Sequence, residues 1–317
     1  MEPRNFEDPS RVTTTTPFAL IALAALALAT PAAAWVDDSS GGEKEVPRSN
    51  TFGGDCAKCE LSGRRMHGAH FMNANFAGAT LVGSDLREAH FIASTFAGAD
   101  LTRADLSDSQ IISVNFSGAI LSHAKLRDTQ AIGSIFTDTT LSGADFSDAS
   151  AQGANFNQSQ LIGTLFRSTE LAGARFERVI ARDADFHDAA LQSAVLTNGR
   201  FEKANFHDAE LDNAILLGAN FEGADFKDAS LKHTYIGGAD MSHARGLTQD
   251  QLDEACGDSH TRLPHGLIVK TCAAGGVHIS IMPRMHGLPP LPTPPAPPAP
   301  PAPSAPPSPY RYLVARG

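Results

Sequence analysis

From Leu61 to Met241 an apolar residue recurs at every fifth position without insertion or slip, through Met66, Phe71, Phe76, Leu81 and Leu86 to Phe226, Leu231 and Ile236. Of these 37 positions, 34 are Leu, Phe, Ile or Met, and the exceptions are Ala131, Ala151 and Ala181. Small residues such as Ala69, Ala74, Ala79, Ser84, Ala89 and Ser94 stand two places ahead. A period of five matches neither the 3.6 of a helix nor the 2 of a strand.

A fixed short repeat marks a solenoid, in which each unit buries its apolar face by stacking on its neighbours. If one unit makes one straight side and one corner, the central apolar residue and the small residue before it both point inward. The other three positions then face water, which is where Asp, Asn, Ser, Arg, Gly and Lys collect.

The units Ala99-Asp100-Leu101, Ala104-Asp105-Leu106, Ala144-Asp145-Phe146, Ala154-Asn155-Phe156, Ala184-Asp185-Phe186 and Ala224-Asp225-Phe226 carry a further pattern. Through them the chain resembles the pentapeptide-repeat proteins, whose unit reads small, Asp or Asn, Leu or Phe, then two variable residues. The resemblance implies an all-β fold, a right-handed quadrilateral β-helix with four units per coil. Residues 20 apart should then stack. The phenylalanines agree: Phe76, Phe96, Phe116, Phe136, Phe156 and Phe176 form one column, and Phe146, Phe166, Phe186, Phe206 and Phe226 another. At a strand spacing of roughly 4.8 Å, about nine coils make a rod on the order of 44 Å long. Ala151, between Phe146 and Phe156, and Ala181, between Phe176 and Phe186, read as volume compensation.

The rest of the chain divides around this rod. Residues 1–34 read as a signal peptide: an apolar run from Phe18 to Ala29 precedes the Ala-x-Ala site ending at Ala34. The acids Glu2, Glu7 and Asp8 beside Arg4 and Arg11 depart from the usual basic start. Export implies a periplasmic or secreted protein with no transmembrane segment in the mature chain. Residues 35–55 read as a flexible linker, 56–246 as the β-helix, 247–273 as a C-terminal cap and 274–317 as a Pro/Ala-rich disordered tail, within which 288–309 favours extended, semi-rigid polyproline II. In the cap, Thr248 and Gln251 form a capping box, Leu247 and Leu252 a staple, and Gly257 suits the helix stop. The four cysteines fall at opposite ends of the rod, which forbids long-range bridges. The expected disulfides are Cys256–Cys272 and Cys56–Cys59, with redox chemistry or a zinc site including His67 and His70 as rival readings of the second pair.

Three outer surfaces invite a functional reading. Asp108, Asp128, Asp148, Asp188, Asp208 and Asp228 stack in one column, beside Arg87, Arg127, Arg167, His187, His207 and Lys227, as a charged ladder. His187 with His207, and His70 with His90, fall on adjacent coils. Two apolar stripes point outward, Met72, Ile92, Ile112 and Ile132, then Val195, Ile215 and Tyr235, and suit a protein partner or a homodimer. No nucleophile–base set, phosphate loop or complete metal motif is present, so neither a catalytic residue nor a cofactor is expected. The net charge of −10 without a basic block argues against direct nucleic-acid binding. The leading expectation is a non-enzymatic, exported scaffold or interaction rod. The resemblance also brings the family's gyrase inhibitors into view, acidic rods that mimic DNA; the signal sequence and the interleaved cations argue against that alternative.

Overall fold

A computed structural model describes residues 51–272. They form a right-handed, four-sided β-helix closed at one end by a short helix. The central residues from Cys56 through Met241 are buried in one continuous core, together with most of the small residues that precede them.

Each side of each coil is joined to the next by a parallel bridge between residues 20 apart, for example Asp100 to Ile120 and Asp105 to Lys125. The central amide donates forward, Leu101 N to Ile120 O at 2.7 Å, and the returning bond runs from Ile120 N to Ala99 O at 2.9 Å. On one side the pairing lengthens into strands β1 (Thr51–Phe52), β2 (His70–Met72), β3 (His90–Ile92) and β4 (Gln110–Ile112), in that order. β1 pairs with an offset of 19, Thr51 to His70, whereas Asp55 pairs with Asn75 at 20. The chain is one residue shorter at Gly53 and Gly54 than at 72–74 opposite, ahead of the regular repeat, and β1 lies in the stretch read from sequence as linker.

Corners are β-turns in which the central carbonyl accepts from the amide three residues on, as in Ala104 N to Leu101 O at 2.9 Å. The second residue after each centre has positive φ at every one of the 37 positions from Lys58 to Gly238. Of these, 14 are Gly and 11 are Asp or Asn, the residues that best tolerate the left-handed region. None is β-branched, and none is Phe, Tyr or Trp. This position therefore does more than face water, as the repeat pattern alone suggested: its residue type answers to the backbone. The Asp or Asn before each centre has its own local task. Its carboxyl or amide oxygen accepts from the amide two residues on, as from Thr102 N to Asp100 at 2.9 Å and from Asn157 N to Asn155 at 3.0 Å.

The phenylalanine columns stack as their spacing predicts. Successive rings from Phe76 to Phe176 lie 4.7, 5.1, 5.0, 4.9 and 4.9 Å apart. The Phe146 column comes from the opposite side of the coil and meets the first edge-on, at 83° between Phe146 and Phe156. Buried hydroxyls at the small positions are satisfied across coils: Thr164 Oγ1 donates to Leu141 O at 2.9 Å and Thr169 Oγ1 to Phe146 O at 2.8 Å.

The cap helix α1 spans Gln249–Glu254 with Thr248 as N-cap and the full capping box. Leu252 is buried, and Leu247 packs partly buried on the core. Gln251 Nε2 donates to the carbonyls of Phe226 and Ala229 at 2.9 and 2.7 Å, groups that face the end of the rod. The helix stops at Ala255, in extended conformation, rather than at Gly257. Extended Ala255 lets Cys256 bridge Tyr235 and continue the ladder. Gly257 serves space instead: a Cβ there would lie 2.7 Å from Thr261 Oγ1 and 2.9 Å from Val269 Cγ1. The disulfides join Cys56 to Cys59 and Cys256 to Cys272, with Cα atoms 5.2 and 4.9 Å apart. The signal-peptide and Pro-rich tail assignments lie outside the described residues.

Candidate interaction surfaces

The first apolar stripe is built by the only run of true strands among the described residues. Alternation along β2, β3 and β4 buries Phe71, Phe91 and Ile111 and turns Met72, Ile92 and Ile112 outward. Parallel register places Met72 beside Ile92 and Ile92 beside Ile112. Met72 is 46% exposed, Ile92 41% and Ile132 41%, with Ile112 half-buried among them. The same strands carry His70 and His90 one pleat away, their rings stacked at 4.3 Å, with His90 Nδ1 3.1 Å from Gln110 Oε1.

The second stripe lies on the adjacent side and nearer the cap. Val195 bridges Ile215, and Ile215 bridges Tyr235, in one column. All three are half-buried. Tyr235 lies flat over Gly237, where a Cβ would come within 2.5 Å of Cζ. Sequence reading passed over Ile120, Ile135 and Ile162, each exposed on a side of the rod, and Ile268 of the cap. Ile120 and Ile135 bridge only polar residues, Asp100 and Thr140 for the first and Asn115 and Asn155 for the second, and so form no stripe.

On the charged side some cations pair within their own repeat and others reach diagonally to the next coil. Arg87 turns onto Asp85 of its own repeat with a two-point bond, Nε to Oδ1 at 2.8 Å and Nη2 to Oδ2 at 2.7 Å. That hydrogen bond holds the Asp85 carboxyl below its ordinary value, against some burial. Arg127 reaches Asp145 and Asp148 on the next coil at 3.7 and 3.9 Å, and Arg167 reaches Asp185 at 2.5 Å. Asp188, Asp208 and Asp228 face His187, His207 and Lys227 at 3.3, 3.5 and 3.0 Å. Asp108 and Asp128 occupy the column at φ 60° and 54°, where the turn itself favours Asp. The column is thus a turn column first, with ion pairs added where a long cation is within reach. Solvent screening keeps the contribution of such exposed pairs to stability small.

No helix among the described residues is long and apolar enough to cross a membrane. The family model described as "Pentapeptide repeats" matches in 8 copies, over residues 55–91, 69–108, 89–128, 124–159, 136–167, 159–198 and 204–242. Among solved structures, the chain is similar to HetL, a pentapeptide repeat protein involved in heterocyst differentiation regulation from the cyanobacterium Nostoc. That match has 24% identity, covers 70% of this chain and 93% of HetL, and has a TM-score of 0.43. QnrB1, a plasmid-mediated fluoroquinolone resistance protein, matches at 19% identity over 61% of this chain and 91% of its own, with a TM-score of 0.34. A pentapeptide repeat protein from the Arabidopsis thaliana thylakoid lumen matches at 32% identity over 37% of this chain and 73% of its own, with a TM-score of 0.21. No curated protein sequence matches the chain at a significant level.

Proposed function

Because this chain belongs to the pentapeptide-repeat family, we propose that it is a non-enzymatic interaction rod, exported from the cell interior, that presents its apolar stripes to a protein partner. The observation that carries this reading is the stripe of Met72, Ile92, Ile112 and Ile132. Met72, Ile92 and Ile112 are held in register on β2, β3 and β4, and Ile132 continues the outward-facing row on the next coil. Apolar side chains in unbroken register on a rigid surface mark contact sites more often than isolated ones do. The interior supports the non-enzymatic part: phenylalanine and leucine fill the centre of the coils, and the polar groups lie in columns rather than converging on a cleft.

The alternative of a DNA-mimicking inhibitor draws on the net charge of −10. Against it, Arg87, Arg127, Arg167 and Lys227 interrupt the most acidic side. Cross-linking pull-down from the native compartment tests the proposal, comparing wild type with the triple change Ile92→Ser, Ile112→Ser, Ile132→Ser. Loss of a specific partner band in a variant that keeps its thermal stability supports the contact role. An unchanged partner profile and oligomeric state overturns it. Fractionation tests export separately, since an uncleaved cytoplasmic chain refutes that part alone.

A further inference from the structure

We propose that His187, His207 and Asp208 form a surface site for one borderline divalent transition metal ion, with zinc as the representative. One ligand atom from each of the three lies within 4.8 Å of the other two. Their positions follow from the repeat: His187 and His207 hold equivalent places on successive coils, and their rings stack at 5.1 Å and 8°. Asp208 is the left-handed turn residue next to His207, at φ 57°, which turns its carboxylate back beside the imidazole, 3.5 Å from Nδ1.

The hydrogen bonding assigns the free lone pair. His187 Nδ1 lies 3.0 Å from the carbonyl oxygen of His207, and a carbonyl only accepts, so Nδ1 carries the proton. In the neutral imidazole Nε2 is then the basic nitrogen. It faces outward with Asp188 Oδ2 at 3.3 Å, an arrangement of two electron-rich atoms that a cation between them relieves. A ring N–H donated to a backbone carbonyl is the outer-shell contact that orients metal-ligating histidines. The donor set of His187 Nε2, a nitrogen of His207 and an Asp208 oxygen, with Asp188 alongside, suits zinc, nickel or cobalt better than calcium, which takes oxygens. The ligand atoms must draw together by an ångström or more to meet one ion, and all three belong to side chains that are half-buried or exposed.

One neighbour opposes the ion. Lys227 Nζ lies 3.2 Å from His207 Nε2 and 3.0 Å from Asp228 Oδ2. An ammonium only donates, so the first of these contacts puts the His207 lone pair on Nε2 and the ring proton on Nδ1. Ligation through Nδ1, on the Asp208 side, requires that proton to shift to Nε2 and Lys227 to turn to Asp228 alone. The pair His70 and His90 stacks in the same way, at 4.3 Å, but stands outside any such three-residue group among the described residues. It supplies the internal control.

Isothermal titration calorimetry of the tag-free full chain with zinc chloride tests the site. Wild type takes up one equivalent. His187→Gln and His207→Gln each weaken binding at least tenfold, Asp208→Asn weakens it several-fold while keeping a residue suited to positive φ, and His70→Gln leaves it unchanged. Lys227→Met tightens binding a few-fold by removing the adjacent positive charge. Thermal unfolding in the presence of EDTA identifies any variant whose fold has changed. Histidine ring NMR then reads the site directly, with the His187 and His207 signals moving on zinc addition and those of His70 and His90 staying. No stoichiometric uptake, or uptake that persists in the His187→Gln, His207→Gln double variant, overturns the proposal.

Discussion

Phe156 sits where the two phenylalanine columns overlap, and truncating it probes the core most directly. Its ring stacks on Phe136 and Phe176 at 4.9 Å each and meets Phe146 and Phe166 edge-on at 5.8 and 5.5 Å. Buried Phe→Ala changes cost about 3–5 kcal/mol. Four aromatic neighbours place Phe156→Ala near the upper end, about 5 kcal/mol, because each pair adds roughly 0.5–1.5 kcal/mol beyond area. Collapse offers little relief, since bonds such as Phe156 N to Arg175 O at 2.8 Å pin the coils at their spacing. The same coil contains Ala151, buried between Phe146 and Phe156 in the chain. Ala151→Leu alone overpacks this coil at a cost of about 1–3 kcal/mol. If Ala151 is small because the two rings occupy the volume, Leu in the double variant fills part of the vacated space. The double variant should then fall short of the summed single effects by at least about 1 kcal/mol, within the usual coupling range for residues in contact. Equilibrium urea unfolding followed by far-UV circular dichroism measures all four corners of the cycle. Additivity within about 0.5 kcal/mol would refute the shared-volume argument.

Three further outcomes follow from the corners and the buried hydroxyls. Ala93 holds φ 51° without the side chain of Asn or Asp, so Ala93→Gly should stabilise by up to about 1 kcal/mol, and Asp108→Val should destabilise by at least about 1 kcal/mol; equal melting temperatures for both would contradict the turn requirement. Ser109 Oγ is buried without a partner whereas Thr164 Oγ1 bonds Leu141 O, so Ser109→Ala should be neutral or stabilising while Thr164→Val costs about 1 kcal/mol, read by denaturant midpoints. Arg87 depresses the Asp85 carboxyl, so its contribution is present above the unfolded carboxylate value near 3.9 and is lost as pH falls through the lower folded value. Arg87→Met should therefore lower stability by about 0.3–1 kcal/mol at neutral pH, with the gap to wild type closing in acid; a gap that stays constant to about pH 2 would sink this account.

The sequence by itself determined the architecture. Its period of five names the inward residues, and the Phe columns at a spacing of 20 name the stacked neighbours, because a solenoid writes its nearest-neighbour packing into the chain as a repeat. It also carried the capping box of Thr248 and Gln251, a purely local device. The left-handed residue at each corner was legible in principle, through its Gly, Asp and Asn and its lack of β-branched types, yet the Asp column invites a reading as charge before one as backbone. Other features arose only in three dimensions. Arg87 takes Asp85 of its own repeat while Arg127 and Arg167 reach the following coil, a choice set by side-chain reach and orientation that a column of letters does not contain. Gly257 is glycine because Thr261 and Val269 close over it, and the helix stops instead where Cys256 rejoins the ladder. The lone pair on His187 turns outward because its other nitrogen meets a carbonyl 20 residues away in sequence and one coil away in space. A repeat fixes which positions stack, since stacking is periodic; each side chain's partner depends on angles and distances that differ from coil to coil.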